Sequence, residues 1–71
     1  MAEVSTILVN GSPRPYLDQT IYELLKSLGL DPERAGIAVA INGEVVARNM
    51  WRDTRLRPSD RVEVVTAIAG G

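Results

Sequence analysis

The segment Thr20–Leu30, TIYELLKSLGL, carries the fold reading. Thr20 and Glu23 stand in capping-box register, in which hydroxyl and carboxylate each satisfy a backbone N–H left free by a helix's first turn. Ile21, Leu24, Leu25 and Leu28 fall at i, i+3, i+4 and i+7, so a helix gathers them into one apolar stripe. Gly29 follows where a left-handed residue ends a helix, and Leu30 can fold back on the last turn. The pattern predicts an amphipathic helix of about two to three turns with one face to bury.

The flanks read as strands. Upstream, STILVNG (5–11) is a β-rich run closed by Asn10-Gly11, a two-residue hairpin signal. SPRPYL (12–17) continues as an extended segment that Pro13 and Pro15 confine to a sheet edge. Downstream, DPERAG (31–36) is a loop. IAVAI (37–41) is a strand with Ile37, Val39 and Ile41 on one face; Ala38 and Ala40 make the other face suited to close approach by another segment. Asn42-Gly43 turns into EVVAR (44–48). NMWRDTRLRPSD (49–60) is polar and irregular, with Pro58, Ser59 and Asp60 as a turn. RVEVVTAI (61–68) alternates again as the last strand.

The order β-β-α-β-β-β gives one helix to cover one face of a mixed sheet of four to five strands. This is an α+β roll of the β-grasp, ubiquitin-like kind. We expect a β-grasp domain over residues 1–66 and a flexible C-terminal tail, 67–71, ending Gly-Gly.

Composition removes most catalytic chemistry. The 71 residues include no Cys and no His, so there is no thiol nucleophile, disulfide, thiolate metal site or imidazole base. Ser5, Ser12, Ser27 and Ser59 have no base of the usual kind to activate them, and no glycine-rich phosphate loop occurs. A protein without enzymatic activity, bound cofactor or metal is expected. No apolar run approaches the roughly 20 residues of a membrane span, and MAEVST lacks the regions of a signal peptide. The expectation is a cytoplasmic protein with no membrane association. A net charge of −1 argues against nucleic-acid binding. The charge is uneven: Arg48–Arg61 holds five Arg against two Asp, while the remainder holds three basic and seven acidic residues. That segment is either a solvated face or a docking surface for an acidic partner, with Arg48, Arg52 and Arg55 as candidate contacts. Trp51 within it is either core packing or a docking anchor.

The final residues, TAIAGG (66–71), pose the functional question. Terminal Gly-Gly arises by chance in about half a per cent of chains at average glycine usage. Five residues at about 3.3 Å each reach roughly 16 Å, enough to thread a carboxylate into another protein's active site. Two residues without side chains pass a channel too narrow for any Cβ.

At this point the chain resembles a known family. ILVNG, TIYELLKSLGL, AVAINGEVVAR followed by Trp51, and RVEVVTAIAGG are together similar to the prokaryotic sulfur carriers of thiamin biosynthesis, the ThiS family. Ala47 replaces a Pro common there, and Pro58-Ser59-Asp60 replaces the usual Asp-Gly-Asp. The resemblance implies a protein substrate. A ThiF-like activating enzyme, using ATP and Mg²⁺, adenylates the terminal carboxylate at Gly71. A persulfide donor supplies sulfur to give a thiocarboxylate, and a ThiG-like thiazole synthase consumes it. On that reading Gly70 permits entry to both partner sites, and Ala67, Ile68 and Ala69 form the threading segment. A molybdopterin-type carrier and a ubiquitin-like protein modifier use the same terminus and stay open as alternatives, as does a plain interaction module.

Overall fold

The computed structural model describes residues 5–67. Strands β1 (Thr6–Val9) and β2 (Ser12–Pro15) form a hairpin, followed by helix α1 (Ile21–Ser27). Strands β3 (Ile37–Ile41) and β4 (Glu44–Val46), a short 3-10 turn (Arg48–Met50) and β5 (Arg61–Thr66) complete the fold. The five strands form one sheet in the order β2-β1-β5-β3-β4. β1 and β5 run parallel at its centre and every other pairing is antiparallel.

Both hairpins turn on Asn-Gly, with Asn10 and Asn42 at φ 51° and Gly11 and Gly43 at φ 83° and 86°. Two consecutive positive φ values match the right-handed twist of the strands they join. β2 is an edge strand, as its prolines require. Tyr16 donates its N–H to the Ser5 carbonyl at 2.8 Å, so Pro13 and Pro15 place their missing N–H groups along the free edge.

The helix ends as its sequence specifies. Glu23 N–H donates to Thr20 Oγ1 at 3.2 Å, and Thr20 N–H donates to Glu23 Oε1 at 2.9 Å. At the other end Leu30 N–H reaches the Leu25 carbonyl and Gly29 N–H the Lys26 carbonyl, both at 3.0 Å. These two bonds, with Gly29 at φ 82°, make a complete Schellman motif.

Ile21, Leu24 and Leu25 are buried against Ile7, Val9, Val39 and Val62 from the sheet. Leu28 is only half-buried, because it caps the helix at the rim of the core. The irregular 49–60 segment contributes more than its polarity suggests. Trp51 and Leu56 are each 2 % exposed and close the core beside the helix. The same segment completes the helix N-terminus: Ile21 N–H donates to the Thr54 carbonyl and Tyr22 N–H to the Trp51 carbonyl.

Among the described residues nothing packs over the opposite face of the sheet. Ala38 is exposed there, beside Val65 at 64 % and Val45 at 81 % exposure. Among the described residues no helix lies on this alanine face, which was read as suited to close approach by another segment. The fold has a single α-helix among the described residues, and it lies on the Ile37–Val39–Ile41 side. Among the described residues no helix is long and apolar enough to cross a membrane.

Candidate functional site

Ile68, Ala69, Gly70 and Gly71, the residues expected to thread and to react, lie outside the described residues. Their anchorage does not. Strand β5 pairs with β3 as far as Ile37↔Thr66. One residue on, Ala67 N–H donates to the Gly36 carbonyl at 2.7 Å. Ala67 was expected in the tail; its N–H is bonded to Gly36, the residue just before β3. Full extension beyond it therefore covers four residues and about 13 Å rather than 16.

Gly36 is a site residue that reads only as loop in the sequence. Its φ is 88°, and an added Cβ would stand 3.2 Å from the Ala67 carbonyl oxygen. Positive φ and close backbone approach both require glycine here. The sequence signal was a lone glycine before a strand, which does not name its partner.

Space remains beside this root. A cleft of about 350 Å³ lies between the end of α1 and the end of β5, lined by Leu30, Arg34, Gly36, Ile37, Thr66 and Ala67.

The candidate docking residues divide. Trp51 is in the core: its ring is buried, and Nε1 donates to the Val46 carbonyl at 3.0 Å. An indole so placed offers a partner no surface, so the packing alternative describes it. The three arginines are exposed yet engaged within the chain. Arg48 stacks on Trp51, its Cζ 4.6 Å from the ring centroid, and donates to the carbonyls of Pro32 and Arg34. Arg52 lies over Tyr22, Cζ 4.1 Å from the centroid, and pairs with Glu33 at 2.7 Å. Arg55 pairs with Asp18 at 3.1 Å. Each of those ion pairs joins the basic segment to an acidic residue of this same chain.

These contacts shift ionisation in consistent directions. The Arg52 hydrogen bond, then that of Tyr22, holds Glu33 below the usual carboxylate range. The Glu33 hydrogen bond pushes the Tyr22 phenol upward and also raises Arg52. The Asp18 hydrogen bond raises Arg55. Among the described residues no cluster of Asp or Glu is arranged to hold a metal ion.

The family model described as the ThiS family matches residues 7–71. The sulfur carrier protein ThiS of Thermus thermophilus is 38% identical over 65 residues, spanning 92% of this chain and 98% of that protein. The sulfur carrier protein ThiS of Escherichia coli is 40% identical over 53 residues, 75% of this chain and 77% of that protein. The crystal structure of the thiamine biosynthesis protein ThiS from Geobacter metallireducens superposes with a TM-score of 0.73 at 30% identity, covering 93% of this chain and 99% of that one. Its solution structure gives 0.75. Both curated relatives are named as carriers and neither as an enzyme, and the five-stranded β-grasp sheet with one helix is the fold of the solved relatives. The chain belongs to the ThiS family of sulfur carrier proteins.

Proposed function

We propose that the chain carries sulfur as a C-terminal thiocarboxylate on Gly71 and donates it for thiazole formation. Family membership that extends through residue 71 is the observation that carries this reading. A carboxylate is a poor electrophile, so it needs activation. Its oxygen attacks the α-phosphorus of ATP, pyrophosphate leaves, and an acyl-adenylate forms on an activating enzyme that holds the Mg²⁺. The terminal sulfur of a persulfide then attacks the acyl carbon and AMP departs. A thiol attacks the donor's sulfur of the resulting acyl disulfide, forms a new disulfide with it, and releases the thiocarboxylate.

The carrier's own contribution is presentation. Ala67 is fixed by Gly36, so the chemistry takes place within about 13 Å of that point at full extension. The enzyme that receives the terminus therefore lies against the molecule. We place it on the open sheet face at Val65, Val45 and Ala38, because Val65 lies near the end of β5 and precedes Ala67 by two residues in the chain. Docking through the arginines would require Arg52 to leave Glu33 and Arg55 to leave Asp18. An apolar face needs no such exchange.

Deletion of Gly71 tests the reading. The variant should melt as the full chain does and supply no sulfur for thiazole formation. Gly70→Ala should also fold normally and react poorly, and an added C-terminal tag should block the chemistry. Undiminished sulfur supply by the deletion variant, or by the tagged protein without cleavage, would contradict the proposal.

A further inference from the structure

Arg48 makes more contacts than a residue on a short surface turn needs. Its guanidinium rests on the Trp51 ring. One terminal nitrogen donates to the Pro32 carbonyl and the other to the Arg34 carbonyl, the latter at 2.6 Å. Both carbonyls belong to the connection between α1 and β3, which has no sheet ladder of its own. The ring beneath is immobilised by burial and by its bond to Val46. A rigid platform thus holds a planar fork of donors against a loop backbone. A lysine ammonium, a point charge on a flexible stem, does not reproduce that fork.

The gripped loop ends at Gly36, two residues beyond Arg34, and Gly36 is the acceptor for Ala67 N–H. The two contacts are in series along one short stretch of backbone. We propose that Arg48 is a positioning residue for the terminal chemistry. Through the 32–36 backbone it holds the Gly36 carbonyl in place, and that carbonyl fixes the root from which the terminus is presented. The proposal rests on the carrier reading above. Arg52 also touches this loop, but only through the exposed side chain of Glu33, so it exerts little hold on the backbone.

The test compares the full chain with Arg48→Ala, Arg48→Lys and Arg52→Ala. Amide exchange by NMR is followed at Ala67, Ile7 and Leu24, together with pyrophosphate release by the activating enzyme as carrier concentration is varied. Loss of the grip on the loop should speed Ala67 exchange by about tenfold in both Arg48 variants, with far smaller changes at Ile7 and Leu24. In both, kcat/KM for adenylation should fall by a similar factor, while Arg52→Ala stays near the wild type. Lysine separates the two roles open to this residue. If Arg48→Lys restores kcat/KM, the residue acts through its charge on a partner and the proposal is overturned. Unchanged Ala67 exchange in Arg48→Ala overturns it as well, as does unchanged kcat/KM. Failure of the wild-type chain to be adenylated at all would instead overturn the carrier reading, and Ala67 exchange would still decide whether Arg48 holds the root.

Discussion

Asn10 pairs with Val64 as though its side chain were backbone. Asn10 Oδ1 accepts the Val64 N–H at 2.8 Å, and Nδ2 donates to the Val64 carbonyl at 3.1 Å. The parallel pairing of β1 and β5 reaches Val9↔Val62, and this amide carries it onward. Asn42 acts similarly in the second hairpin, accepting Arg61 N–H at 2.9 Å and donating to Asp60 Oδ1 at 3.0 Å. Both turns are thereby fastened to β5, the strand that leads to Ala67.

Asn10→Gly isolates this fastening, since glycine keeps the positive φ and loses the amide. Two hydrogen bonds at exposed positions contribute about 1–2 kcal/mol together. For a domain of this size each kcal/mol corresponds to about 4–8 °C of melting temperature. A melting temperature equal to that of the wild type would show that the amide contacts contribute nothing.

Leu24 is 1 % exposed at the centre of the helix stripe. Leu24→Ala should cost about 2–5 kcal/mol. A small domain has only about 5 kcal/mol in all, so denaturant titration should show a largely unfolded population without denaturant. An unaltered unfolding midpoint would contradict the packing described.

Ser59 holds φ 72° in the turn before β5, while its N–H donates to the Thr6 carbonyl at 2.7 Å. A left-handed conformation costs a residue with a Cβ about 1–2 kcal/mol. Glycine removes that cost and keeps the N–H, at an entropic penalty of about 0.5–1 kcal/mol. Ser59→Gly should therefore stabilise by about 0.5 kcal/mol and raise the melting temperature by a few degrees. A lowered melting temperature would show that the serine side chain has a stabilising role.

Glu33 receives hydrogen bonds from Arg52 and from the Tyr22 hydroxyl, the latter at 2.8 Å. Its depressed pKa means a contribution that is present above the unfolded-state value and lost as pH falls through the folded one. The raised Tyr22 pKa works at the other end: that contribution is present below the unfolded-state value and lost as pH rises through the folded one. NMR titration of the Glu33 carboxyl should give a midpoint below that of an ordinary glutamate, and Arg52→Ala should move it upward. A midpoint that Arg52→Ala leaves unmoved would contradict the pairing.

Local features of the fold were legible in the sequence because their partners are near in the chain. The Thr20–Glu23 box, the Gly29 cap and both Asn-Gly turns each involve residues within a few positions of one another. Trp51 was read as either core or docking anchor, and its burial selects the core alternative. Leu56 was not legible as core, because an apolar residue in an arginine-rich run shows no period and the helix beside it is far off in sequence. Gly36 was not singled out and Arg48 was read only as a candidate partner contact, because one reads as loop and the other as surface charge until Ala67, Pro32 and Arg34 are beside them. The terminal Gly-Gly stood out at once as a candidate, since the chemistry proposed for it depends on residue type and position rather than on packing.

The most direct test of the carrier account is the intact mass of the chain after incubation with activating enzyme, ATP, Mg²⁺ and a persulfide donor. Exchange of one carboxylate oxygen for sulfur should raise it by about 16 Da, and fragmentation should locate the gain on Gly71. An unchanged mass under conditions in which a ThiS relative gains sulfur, or a gain located on any other residue, would contradict the account.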